Sequence, residues 1–475
     1  MSLVSLKFVI FVALLLLLYY KVPAAHQWKI LLSGSLLFYV LANPVYIIFI
    51  AISIVSTWAL MRNPKKSHFI LTLLINLGLL IFFRYSVYIG IHDLIVPLGI
   101  SFYTFMTIGY AHDCYDQKIE PCDNLLHYAL FISYFPQITQ GPIGTYQSMK
   151  DQLIAPHVFD LQNLKEGGYR VIKGVFKKLV IAGRLTYYVN TVYENPQQQG
   201  GLTLIIAVFF YAIELYADFS GYMDIVCGVS QMFGITLTEN FNRPYFSRNI
   251  QEYWRRWHIS LNEWFKMHLM MPSVTSKWNR KASKVLGKLF PKAKKGTLRS
   301  VFPLLIVWVV TGVWHGAQAV YLGWGIYFAI IMLLSVCTDS TVKKVCQKIG
   351  WNAERTGAKI LQTLRTFLIV LIGEAMFRAN SLPDAFVIYR NIFTNTRINA
   401  ATAAAALAPF GNGNQALASV LILAVLIGAF FLVELRKEKN PQAFTKHRYL
   451  YAGAMIFVTV LFGVLGQSNF LYQAF

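Results

Sequence analysis

Two histidines stand where the sequence makes a histidine costly. His315 lies in Trp308-Val309-Val310-Thr311-Gly312-Val313-Trp314-His315-Gly316-Ala317, inside an apolar run that begins near Val301 and continues past Tyr327. Apolar surroundings favour the neutral imidazole, which can take up a proton as a general base. Gly312 and Gly316 flank it and permit close approach of backbone or substrate. A histidine hydrogen-bonded between two helices would have the same neighbours in sequence, so the residues alone leave both roles open. His258 lies in Glu252-Tyr253-Trp254-Arg255-Arg256-Trp257-His258-Ile259-Ser260-Leu261-Asn262-Glu263-Trp264-Phe265, where three tryptophans, two arginines and the histidine crowd into eleven residues. Arg256 and Ser260 lie one helical turn apart, as do Trp254 and His258. An interfacial aromatic anchor reads in the same way.

Further polar groups gather where apolar runs break. One is Pro97-Leu98-Gly99-Ile100-Ser101-Phe102-Tyr103-Thr104-Phe105, with Asp113 downstream, and another is Ser133-Tyr134-Phe135-Pro136-Gln137-Ile138-Thr139-Gln140-Gly141-Pro142-Ile143. Proline and glycine at membrane depth free backbone groups that lipid cannot satisfy, so such a break needs cover from protein or a water-filled cavity. A plain interfacial turn is the alternative. Asp218 and Asp224 interrupt Tyr216-Ala217-Asp218-Phe219-Ser220-Gly221-Tyr222-Met223-Asp224; six residues apart, they point about 120° away from each other on a helix. That spacing predicts hydrogen bonds between helices rather than a metal pair. Glu239-Asn240-Phe241-Asn242-Arg243-Pro244-Tyr245 precedes the His258 block. Five cysteines, Cys114, Cys122, Cys227, Cys337 and Cys346, show neither zinc spacing nor a paired framework.

The elements that must position these residues are membrane helices. Of 475 residues, 56% are hydrophobic and 13% charged, with a mean hydropathy of +0.49; a soluble chain carries about a quarter charged residues. Apolar runs suited to helices that need about 20 residues per crossing fall at 5–23, 28–42, 44–62, 67–83, 95–115, 126–140, 170–190, 202–219, 220–235, 301–336 (as two), 361–378, 417–435 and 449–466. The expected fold is an all-α polytopic transmembrane bundle of about ten to thirteen spans, with re-entrant helices around a central tunnel or funnel. It is expected to form a single membrane-embedded domain over 1–475. Lys7, the leucines after it and Val22–Ala25 also resemble a signal peptide, but the many later runs favour a first transmembrane helix.

The net charge of +22 would suggest nucleic acid in a soluble protein. Here the positive-inside rule accounts for it, and no nucleic acid is expected. Between Arg255 and Ser300 twelve basic residues face Glu263 alone, and Arg62, Lys65 and Lys66 form a second cluster. Both loops should therefore be cytoplasmic. The larger one suits anionic membrane lipid or an acidic donor or carrier.

Taken together, PLGISFYTF, FPQITQGPI, DFSGYMDI, ENFNRPYF, EYWRRWHISLNEWF and GVWHGA resemble the membrane-bound O-acyltransferase family, in order and spacing, over about residues 95–325. The likeness is to its bacterial polysaccharide-modifying branch, and most to alginate O-acetyltransferase-type membrane proteins. The resemblance implies His315 as the catalytic histidine and His258 as the second residue tied to activity. Trp254, Arg256, Trp257, Ser260, Asn242, Gln140 and Trp314, in the same blocks, are the expected substrate-binding residues.

It further implies a small acyl group, acetyl by preference, taken from a thioester to hydroxyls of an extracytoplasmic polysaccharide or cell-wall polymer. No permanently bound cofactor is expected, only an acyl thioester co-substrate, acetyl-CoA or acyl carrier protein. The implied partner is an extracytoplasmic SGNH-type acetyltransferase or a small bitopic protein, and the location is the bacterial cell membrane. The end Asn469–Phe475 looks like a variant of the FIYFQF-type ending of alginate-type members. One departure leaves the polymer acceptor open: related chains continue WFRDYLYIPLGG where this one reads Trp264-Phe265-Lys266-Met267-His268-Leu269-Met270-Met271-Pro272. D-alanyl transfer from a carrier protein to teichoic acid is the alternative enzyme. A secondary transporter or flippase is the rival from another class, since transporters also use broken helices; the sequence shows no internal repeat to match one.

Overall fold

A computed structural model describes residues 1–91, 94–289, 295–411, 413–440 and 442–464. The Asn469–Phe475 ending lies outside the described residues. The described chain is helical, and the extended exception is a lone antiparallel bridge between Phe241 and Trp257. Among the described residues, seven helices are long and apolar enough to cross a membrane: Pro44–Met61, Lys66–Ile89, Gly201–Met232, Lys295–His315, Ala319–Lys348, Thr356–Arg378 and Asn414–Lys439. Shorter apolar helices accompany them, including Leu6–Lys21, Gln27–Ala42, Ile100–Tyr115 and Arg448–Phe462. This is a multi-pass helical membrane protein. Its outward faces carry the apolar residues that a soluble protein would hide; on Asn414–Lys439, Leu417, Leu421, Val425 and Leu432 are all exposed, as hydrocarbon allows.

Two of the expected spans, 202–219 and 220–235, are one continuous helix, Gly201–Met232. Asp218 and Asp224 do not break it because each meets a cation on a neighbouring helix. The run at 301–336 divides as expected, into Lys295–His315 and Ala319–Lys348.

The chain falls into two compact units: Met1–Val180 with Asp218–Asn240 and His447–Phe475, and Ile181–Ala217 with Phe241–Lys446. In the first unit the two proline–glycine breaks meet. Gly99 takes a positive φ of 70°, and a side chain there would run into the carbonyl oxygen of Ile138. Asp224 accepts from Lys173 and Lys177, each at 2.9 Å, and from Arg170 at 3.3 Å. Asp218 pairs with Lys178 at 2.6 Å. These carboxylates tie helices together, as their spacing predicts. Gly167 and Gly174 let the helices approach so closely that a Cβ would stand 2.5 Å from the carbonyls of Gly228 and Gly221.

In the second unit, Lys295–His315 and Ala319–Lys348 form a tight hairpin. A Cβ on Gly312 would come 2.6 Å from the Tyr321 carbonyl oxygen, and one on Gly325 would come 2.5 Å from that of Trp308. The glycines beside His315 therefore admit backbone and a ring, since Gly316 lies against Tyr321.

Candidate active site

His315 is the last residue of its helix, at the mouth of the hairpin turn, and only 3% of it is exposed. Aromatic rings enclose it. Trp324 lies edge-on at 5.0 Å between centroids, Phe377 at 4.9 Å and Trp314 at 4.6 Å. Three helices thus hold one imidazole: its own, Ala319–Lys348 through Trp324 and Thr356–Arg378 through Phe377.

His258 reaches the same region by a break in the backbone. Ile250–Arg256 ends, Trp257 runs extended, and His258 takes φ 45° and ψ 54° before Ile259–Phe265 begins. A residue other than glycine in the left-handed region is uncommon, and such strain tends to collect at functional sites. The break frees carbonyls, and one side chain collects them. Asn262 Nδ2 donates to the carbonyls of Trp254 at 2.7 Å, Trp257 at 2.6 Å and His258 at 3.2 Å. His258 is as buried as His315, and the Trp314 ring stands 6.4 Å from it. Trp314 thus touches both histidines.

The remaining expected residues divide by place. Trp254 packs on Trp308 at 4.7 Å and Phe328 at 4.9 Å, with Trp324 at 5.9 Å. Ser260 is buried on the short helix that follows His258. Trp257 belongs to an aromatic core with Phe241 at 5.0 Å and Tyr253 at 5.7 Å. Arg256 is engaged in ion pairs, to Glu252 at 2.6 Å and Glu438 at 2.9 Å. Asn242 has an exposed side chain, and its backbone N–H donates to the Arg256 carbonyl at 2.9 Å. Gln140 belongs to the first unit, where it is buried with no partner for its Oε1 among the described residues.

Several site residues escape a sequence reading. Asn262 is one. Glu438, at the end of Asn414–Lys439, is another; it accepts from Arg243 at 2.7 Å as well as from Arg256 and so anchors both sides of the His258 segment. Glu374, fully surrounded on Thr356–Arg378, has no partner for its Oε2 among the described residues. A lone acid in an apolar run was a legible signal. Trp324 carried none; its indole Nε1, like that of Trp254, is buried without an acceptor among the described residues. Leaving such a donor unpaired costs about 1–3 kcal/mol.

A buried imidazole among rings, linked through Trp314 to a second histidine on a strained turn and beside the uncommitted N–H of Trp324, can take a proton from a hydroxyl and bind a polarised carbonyl. Residues 116–369 match the MBOAT, membrane-bound O-acyltransferase family. The chain is 28% identical over 411 residues to the probable alginate O-acetylase of Pseudomonas syringae pv. tomato, covering 81% of this chain and 73% of that protein. It is also 28% identical over 411 residues to the peptidoglycan O-acetyltransferase of Helicobacter pylori, covering 77% and 73%. With the teichoic acid D-alanyltransferase of Bacillus subtilis it shares 30% identity over 297 residues, covering 60% and 69%. The family match spans more than half of the chain, which is a member of the membrane-bound O-acyltransferase family.

Proposed function

We propose that this multi-pass O-acyltransferase moves acetyl from a cytoplasmic thioester toward hydroxyls of an extracytoplasmic polysaccharide or cell-wall polymer. The observation that carries the reading is His315, buried among rings at the helix hairpin and sharing Trp314 with His258. Neutral His315 accepts the hydroxyl proton as the oxygen attacks the acyl carbon. His258, fixed by the Asn262-bound turn, orients the thioester. The acceptor hydroxyl belongs to the polymer itself or to an extracytoplasmic SGNH-type or small bitopic partner that passes the acyl group on. The basic segment from Arg255 to Ser300 supports a cytoplasmic, anionic donor such as acetyl-coenzyme A.

Acetyl is preferred because the relatives named for O-acetylation align over 81% and 77% of the chain, against 60% for the D-alanyltransferase. D-Alanyl transfer from a carrier protein is the second reading, and the altered stretch after Trp264 is where donor handling would differ. The experiment is to reconstitute the protein in nanodiscs and offer isotopically labelled acetyl-coenzyme A or D-alanyl carrier protein in turn. Transfer of labelled acetyl to added glycan or partner is expected. Transfer of D-alanine alone would replace the acetyl reading.

A further inference from the structure

We infer that the indole N–H of Trp324 is the hydrogen-bond donor that holds the acyl carbonyl oxygen beside His315 during transfer. The inference rests on the acyl-transfer reading above and adds to it a group for the developing charge. Trp324 is 4% exposed, and its Nε1 has no acceptor among the described residues. Its ring meets His315 edge-on, 5.0 Å between centroids at 83°. Phe377 at 5.2 Å, Phe328 at 5.2 Å and Trp308 at 5.9 Å hold that ring from other sides. Next in sequence, Gly325 lies so close to the Trp308 carbonyl that the helix carrying Trp324 has no room to shift toward it. The N–H is thus both uncommitted and rigidly placed, as a donor must be to stabilise charge without reorganising. A neutral donor also suits an apolar site, where a buried cation would need its own partner.

The acceptor oxygen bonds to the acyl carbon while its proton passes to His315, and the carbonyl π pair moves onto the oxygen. Trp324 N–H holds that oxyanion. As the carbonyl re-forms, the carbon–sulfur bond breaks, and the thiolate takes the proton from His315. The products are the ester and the free thiol.

The test compares four full-length proteins in nanodiscs with a labelled acetyl thioester: wild type, His315→Gln, Trp324→Phe, and a protein carrying benzothienylalanine at position 324. The last keeps the shape of tryptophan and lacks the N–H. Expected is a fall in kcat of about 10²- to 10³-fold for both position-324 proteins, the usual loss of one oxyanion donor. For the benzothienylalanine protein, donor KM should stay within about threefold and Tm should equal or exceed that of wild type, since the unpaired buried donor is gone. A benzothienylalanine protein with kcat within about threefold of wild type overturns the inference and leaves the acyl-transfer reading standing. Absence of acyl product from wild type, or full activity of His315→Gln, removes the reading and the inference together.

Discussion

Asn262 performs the task that the break at His258 creates, because its amide nitrogen donates to the carbonyls of Trp254 and Trp257, while the His258 carbonyl accepts from both its amide nitrogen and its backbone N–H. Its removal should loosen the left-handed turn and let His258 leave its place near Trp314. Asn262→Ala is expected to lose about 1–3 kcal/mol of stability and most of the turnover. Asn262→Asp should be no better, since a carboxylate only accepts. Detergent melting curves and acyl-transfer rates check this, and an Asn262→Asp protein with wild-type Tm and rate would show that the turn holds itself. His258 was legible as a candidate because tryptophans and arginines crowd around it. Asn262 was not, since an asparagine facing its own chain leaves no periodic mark. The partners of Arg256 were half legible: Glu252 stands one turn before it in sequence, whereas Glu438 is 182 residues away.

At the scale of elements, the hairpin of Lys295–His315 and Ala319–Lys348 sets how His315 meets Trp324, and glycines set the hairpin. Gly312→Ala places a methyl 2.6 Å from the Tyr321 carbonyl, and overpacking of this kind costs about 1–3 kcal/mol. The two helices should separate by a fraction of an ångström at the turn. We expect turnover to fall at least about tenfold, because small misplacements in a site are costly to rate, with protein still inserted and folded. Turnover and Tm both equal to wild type would show that the gap accommodates the methyl. Sequence placed glycines beside His315 and gave them the general role of close approach. It could not say that a following helix, rather than substrate, fills the space next to Gly312. Likewise the aspartates at 218 and 224 suggested interrupted spans, because hydropathy does not register the lysines that neutralise them from another helix.

For the whole molecule, orientation follows from charge. The clusters at Arg62–Lys66 and across Arg255–Ser300 should both face the cytoplasm. Single cysteines introduced at Lys65 and Lys284, with exposed Cys337 first replaced, should resist a membrane-impermeant thiol reagent in intact cells and react after lysis. Labelling at Lys284 from outside would invert the topology and move the donor to the other face. Fold class was legible because composition alone excludes a soluble chain. The number of crossings was less so, since length and hydropathy do not separate a span from a short buried helix such as Ile100–Tyr115, whose residues face protein on nearly all sides. The central claim is that polymer acylation passes through His315. Its most direct test is His315→Gln, which keeps a polar side chain of similar reach but cannot take up the proton. Acyl product measured by mass spectrometry should fall by about 10³-fold or more, with donor affinity, Tm and partner pull-down unchanged. Product within a few fold of wild type would contradict the account and leave His315 a structural group between helices.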